Sequence, residues 1–221
     1  MLISNSPVGL FEDHGEKKIY NITDTTGIFY FNNYILYRLP PTQVFETGEN
    51  VKNSEQYFIY NNEDEKGILF DSLKEHCSTK QFSVDSFLFA RGGRGKDFDI
   101  PVDTVWKLAE TFQNTEFVIE KYALIKQSNE FYYDSIYYYY SKNITPIDFS
   151  FSRKLDSIKG MKLQKIRLLY NENYSFSQSK IIPKREFSFE FKIMPTNNSN
   201  EIFNFFRRFE NCSNKNGNQI Q

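Results

Sequence analysis

Polar and apolar residues alternate along much of this chain with a period of two. That spacing sends successive side chains to opposite faces of a β-strand. The first sixty residues carry it most plainly. Val8 to Phe11 and Lys18 to Ile22 flank the polar run Glu12-Asp13-His14-Gly15-Glu16, which predicts a hairpin. Ile28 to Phe31 and Tyr34 to Tyr37 enclose Asn32-Asn33, residues that tolerate positive φ and suit a two-residue turn. Pro40-Pro41 stops the second of these strands, and Tyr57 to Tyr60 reads as another. Ser83 to Phe89 reads as extended. Further along, Phe117 to Ile125, Phe131 to Tyr140, Ile147 to Phe151 and Phe187 to Ile193 read as strands, with Phe187, Phe189, Phe191 and Ile193 on one face. Residues 161–170 fit either a strand or a helix.

Helical spacing occurs in three places. Over 68–76, Ile68, Leu69, Leu73 and Cys77 share one face, although Ile68-Leu69-Phe70 also fits a strand. Over 101–113, Val105, Leu108, Ala109 and Phe112 recur at helical intervals after Pro101. Over 198–210, Asn198-Ser199-Asn200-Glu201 has the form of a capping box, and Ile202, Phe203, Phe206 and Phe209 line one face. Short turns between strands favour antiparallel pairing. The predicted fold class is α+β, mainly antiparallel β-sheet with two or three helices. Residues 1–210 are expected to form a single domain and 211–221 a disordered polar tail. A weak two-half organisation, 1–114 and 115–210, is the alternative, because each half offers several strands and a helix near its end.

Composition explains how such a fold is held. Phe occurs 23 times and Tyr 15 times in 221 residues, while His and Cys occur twice each. Aromatic rings on pleated strands supply the core, and most of the usual catalytic side chains are scarce. The N-terminus lacks the basic and apolar regions of a signal peptide, and no window approaches a membrane span. Cys77 and Cys212 stand in unrelated contexts and are expected to be free thiols in a reducing cytosol. Formal net charge is −1, but the charges are unevenly placed. Residues 1–75 hold twelve acids against six bases, and residues 153–185 hold nine bases against two acids. Opposed poles of this kind steer partners, unless the two segments lie side by side and neutralise each other.

Candidate chemistry is sparse. Ala90-Arg91-Gly92-Gly93-Arg94-Gly95-Lys96-Asp97 approaches a phosphate-binding loop, but Ala90 replaces its first glycine and Asp97 its hydroxyl. Pro101 would also interrupt the helix that should follow. Exposed backbone N–H groups beside Arg91, Arg94 and Lys96 could still hold a phosphate or an acidic partner. His14 falls in a turn. His76 and Cys77 are adjacent, so their side chains are not expected to meet as base and nucleophile. Glu190-Phe191-Lys192 has the Glu-x-Lys form of a metal-dependent nuclease strand without a suitable upstream acid. Tyr132-Tyr133 and Tyr137 to Tyr140 would offer alternate rings to a partner if their strand has an open face.

These features lead to a small cytosolic, non-enzymatic protein-binding module, such as a bacterial toxin-neutralising (immunity-type) or accessory protein. Its candidate partner- or phosphate-binding residues are Arg91, Arg94, Lys96, Lys162, Lys165, Arg167, Tyr137 and Tyr139. No catalytic residue, metal site or cofactor is expected. One alternative is a nucleic-acid-binding protein using 153–185 and the 91–96 loop. Another is a metal-dependent phosphoesterase or nuclease.

Overall fold

Asn32 adopts φ 53°, and Phe31 pairs directly with Tyr34, so Asn32-Asn33 forms the two-residue turn that the sequence predicts. The computed structural model describes residues 1–13, 16–39, 43–46, 49–52, 55–92, 106–125, 133–143, 149–175, 180–195 and 199–217. The first stretch of chain contains β1 (Leu2–Asp13), β2 (Glu16–Phe31), β3 (Tyr34–Leu39), β4 (Gln43–Glu46), β5 (Glu49–Lys52), β6 (Gln56–Asn61), β7 (Lys66–Phe70), β8 (Gln81–Ser83) and α1 (Val84–Gly92). After it come β9 (Trp106–Gln113), β10 (Phe117–Leu124), β11 (Ser135–Ser141), α2 (Arg153–Lys159) and β12 (Lys162–Tyr170). The chain then forms β13 (Asn173–Ser175), β14 (Lys180–Ile182), β15 (Arg185–Phe191) and α3 (Ser199–Gly217). Among the described residues the protein is α+β, with three helices and an antiparallel sheet of 11 strands in the order β8-β7-β6-β3-β2-β1-β15-β12-β11-β10-β9. β4–β5 and β13–β14 form separate two-stranded ribbons. Among the described residues, no helix is long and apolar enough to cross a membrane.

The chain divides into two compact units. The first comprises Met1, residues 25–96 and residues 193–221. Its central strands are buried on both faces, which is why β3 and β6 are nearly continuous apolar runs. On one face α1 places Val84, Phe87 and Leu88 against Ile35, Tyr37, Phe58, Tyr60 and Leu69. Phe58 and Phe87 stack with centroids 4.2 Å apart. On the other face α3 places Ile202, Phe205, Phe206 and Phe209 against Leu36, Tyr57, Ile59 and Phe70. Phe70 meets Phe205 edge to face at 4.9 Å. Gly67 is required by this packing: a Cβ there would stand 2.4 Å from Phe58 Cζ and 2.9 Å from the Ile59 carbonyl oxygen. Cys77, in the loop after β7, is disulfide-bonded to Cys212 of α3. The bond joins residues 135 positions apart, and a cross-link over so long a loop stabilises by about 5 kcal/mol in the chain-entropy model. Arg208 of α3 donates to the Leu73 carbonyl in the same loop.

The second unit comprises residues 2–24 and 97–192. Its strands follow the order β1-β15-β12-β11-β10-β9. Ile136, Tyr138 and Tyr140 of β11 and Leu163 and Ile166 of β12 are buried. Leu155 of α2 and Phe151, just ahead of it, are buried too. Ser152 caps α2 by accepting from the Leu155 N–H at 3.3 Å, and Gly160 ends it at φ 61°. A bulge between Lys121 and Tyr122 and another between Tyr139 and Tyr140 shift the pairing register on either side of β10 and β11.

Several local expectations are corrected. The helix expected over 68–76 is strand β7 followed by a loop, and Ile68, Leu69 and Phe70 serve the two cores of the first unit. The helix expected over 101–113 is strand β9 from Trp106 onward. Residues 101–105 lie outside the described residues. Ser83 to Phe89, read as extended, is mostly α1. Phe149 and Phe151 belong to no strand; both contact the Phe191 ring ahead of α2. Residues 162–170 resolve as strand. The helix expected over 198–210 is α3, which continues to Gly217 through part of the stretch read as a tail. Cys77 and Cys212 are paired rather than free, because α3 folds back over the β7–β8 loop.

Candidate functional site

Two faces of β11 have different chemistry, as the period of two requires. One face turns Tyr138 and Tyr140 into the core beneath α2. There Glu120, only 6% exposed, accepts from the Tyr122 hydroxyl at 2.8 Å and is ion-paired to Lys159 of α2 at 2.6 Å. Lys159 also lies 5.8 Å from the Tyr140 ring centre. Burial pushes the phenols of Tyr122, Tyr138 and Tyr140 above their ordinary range, so they remain neutral. The Tyr140 hydroxyl is buried with no hydrogen-bond partner among the described residues. On the same side Asp156 accepts from the Ser150 hydroxyl at 2.7 Å and the Leu163 N–H at 2.8 Å, and pairs with Lys162 at 3.0 Å. These contacts seat α2 on the sheet. They bury the charged groups instead of presenting them to a ligand.

The opposite face is half-exposed. Tyr137 stands opposite Arg167, and Tyr139 stands opposite Lys165. Arg167 lies 5.5 Å from the Tyr137 ring centre and Lys121 lies 6.0 Å from it. Lys165 lies 5.6 Å from the Tyr139 ring centre. Distances of this size place each cation in the range where a ring's quadrupole attracts it. Arg167 also donates to the Tyr139 hydroxyl at 2.9 Å and makes two parallel 2.7 Å hydrogen bonds to Glu186 of β15. The bidentate pair raises the Arg167 pKa and holds Glu186 below the usual carboxylate range. Glu190 is flanked by Lys165 at 3.6 Å and Lys192 at 3.3 Å. Lys121 pairs with Glu110 of β9 at 2.8 Å. At the β9 side Ile119 pairs with Phe112, which is 46% exposed, and Phe117 meets the Tyr139 ring edge to face at 6.1 Å. The result is a pleated surface of tyrosines and cations, with a carboxylate close to each of Lys121, Lys165 and Arg167.

Of the residues singled out in the sequence, this face brings together Tyr137, Tyr139, Lys165 and Arg167. Lys162 is held by Asp156 beside α2 and is not part of it. Arg91 falls within α1, in its last turn, and nothing is described of its side chain. Arg94 and Lys96 lie outside the described residues, as does His14. The sequence reading missed Lys121 and Glu186, whose roles depend on cross-strand register. It also missed Glu120, although its parity with Val118 and Tyr122 in an apolar strand is a visible sign of inward placement. Four of the nine bases of 153–185 are matched within their own unit: Lys159, Lys162, Lys165 and Arg167 pair with Glu120, Asp156, Glu190 and Glu186. Arg185 packs on the Tyr170 ring at 4.4 Å. Among the described residues, one group offers three metal-ligand donors, His76, Cys77 and Cys212. No protein-family model, curated protein or solved structure matches the chain.

Proposed function

We propose that the chain is a non-enzymatic protein-binding module and that the outer face of β10, β11, β12 and β15 is its docking surface. The observation that supports this most is the pairing of Tyr137 and Tyr139 with Arg167, Lys121 and Lys165 on one half-exposed sheet face. Tyr and Arg are the residue types enriched where proteins meet, because each buries a large area while keeping a polar end. Here their rotamers are already restrained by cross-strand contacts, so docking would cost little further side-chain entropy. Glu110, Glu186 and Glu190 interleave the cations, which suits a partner surface of mixed charge. A toxin-neutralising or accessory role is the concrete form of this reading. The module would act by covering its partner's working surface.

The same interleaved acids argue against nucleic acid as the partner, since affinity for phosphate backbones grows with the number of cations free to neutralise them. Glu190, the acid of the Glu-x-Lys motif, is engaged by two lysines, which leaves the phosphoesterase reading without a supporting arrangement. A cytoplasmic location was expected in part because the two cysteines read as free thiols. Their pairing removes that ground, and an oxidising compartment accommodates the bond directly.

The test is capture from an extract of the native cell on immobilised protein, with heparin chromatography run beside it. A protein retained by the wild type and lost by Arg167→Glu supports docking through this face. Salt-sensitive retention on heparin at physiological ionic strength, without a captured protein, overturns it in favour of nucleic-acid binding.

A further inference from the structure

We propose that Cys77, Cys212 and His76 form a redox-gated site for a thiophilic divalent cation of the Zn²⁺ type, closed as a disulfide and opened by reduction. The three donor atoms lie within 4.8 Å of one another. His76 Nδ1 is 3.3 Å from Cys77 Sγ, so the imidazole already faces the sulfurs. The Cα atoms of the two cysteines are 6.1 Å apart. A tetrahedral zinc with Zn–S of roughly 2.3 Å needs its two sulfurs about 3.8 Å apart. Side-chain rotation about fixed Cα positions at that separation supplies such a spread. His76 and Cys77 are exposed, so a reductant and a metal ion can reach them. Adjacent side chains were not expected to meet, yet His76 and Cys77 do, and two donors from one loop with a third from a helix are an ordinary way to assemble a metal site. The fourth position would be left to water.

The chemistry balances with a dithiol as reductant. The dithiol is oxidised to its own disulfide, and its two hydrogens end on the Cys77 and Cys212 sulfurs. Metal binding then releases those two protons as both thiolates coordinate. In the oxidised form the sulfurs are bonded to each other and neither is a thiolate, so the ligand set is incomplete. The loop after β7 and helix α3 are thereby joined in either state, by sulfur under oxidising conditions and by metal under reducing ones.

The experiment uses the full chain and Co²⁺ as a spectroscopic probe. Reduction is by a phosphine, which becomes its oxide with oxygen drawn from water. The reduced protein is expected to bind one Co²⁺ per chain with a thiolate charge-transfer band and the visible bands of a tetrahedral site, and Zn²⁺ is expected to displace it. The oxidised protein is expected to show neither band. Loss of a mere outer-shell partner weakens metal sites 10–100-fold, so His76→Ala, which keeps both cysteines, should weaken binding by at least about tenfold. Reduced protein that binds no Co²⁺, or a His76→Ala protein that binds it unchanged, overturns the proposal. Circular dichroism is followed in parallel. A helical signal that falls on reduction and is not restored by Zn²⁺ overturns it as well.

Discussion

Gly67 and Phe58 show how little freedom single positions have in this protein. The Phe58 ring occupies the space where a side chain at 67 would begin, and it is held there by Phe87 and Tyr60. Gly67→Ala is therefore expected to lower stability by about 2 kcal/mol, the usual penalty for forcing extra volume into a close-packed core. Urea unfolding measures it. Tyr57 gives a second test at this scale. Burial, together with the hydrogen bond that its hydroxyl donates to Glu55, pushes its pKa up to about 12. In the unfolded chain the phenol ionises near pH 10. The folded state thus favours the protonated form, and that contribution is intact below pH 10 and lost as pH rises through 12. Alkaline unfolding monitored by tyrosinate absorbance should show this loss of stability, and Tyr57→Phe should shrink it.

At the scale of elements, α2 is docked through Leu155 and through an ion pair whose Glu120 end is buried and whose Lys159 end is part-exposed. Removing one partner of such a pair leaves the other charged without compensation. Lys159→Met is accordingly expected to cost about 3 kcal/mol, and adding Glu120→Gln should recover much of that loss. A double-mutant cycle by chemical denaturation reads both. The elements also show which structural signals are local. The Asn32-Asn33 hairpin and the inward Phe189 and Phe191 alternation were legible because their causes lie within a few residues. Strand β9 was not. Leu108, Ala109 and Phe112 happen to sit at helical intervals, and the strand is exposed along nearly its whole length, so no alternation marks it. Helix α1 did carry helical spacing at Val84, Phe87 and Leu88. It was masked by Phe89, an apolar residue that is 65% exposed on the outward side. The Cys77–Cys212 bond had no local sign, since its cause is the return of α3 to a loop 135 residues earlier in the chain.

For the molecule as a whole, the sequence displayed a charge imbalance, but the structure decides what that imbalance means. Four of the nine bases of 153–185, Lys159, Lys162, Lys165 and Arg167, are answered by Glu120, Asp156, Glu190 and Glu186 in the same unit, so that part of the segment is internally neutralised instead of an open cationic stripe. Half of the candidate site was legible, because Tyr137 and Tyr139 must share a face at a period of two. Their meeting with Arg167 and Lys165 follows from strand pairing, which the sequence does not display. Glu186 contributes to this face only while ionised. Its lowered pKa means that the contribution of the Arg167 pair is full above the ordinary carboxylate pKa and is lost as pH falls through the lower value of the folded state, so docking should weaken only below the ordinary carboxylate range. The most direct test of the docking claim is a hydrogen-exchange footprint of the chain with its captured partner, read over the amides of β10, β11, β12 and β15. The account predicts slowed exchange concentrated at 117–124, 135–141, 162–170 and 185–191, and none of it in a complex attempted with Tyr137→Ser/Tyr139→Ser. Protection that falls instead on the first unit, or that survives the double substitution unchanged, contradicts it.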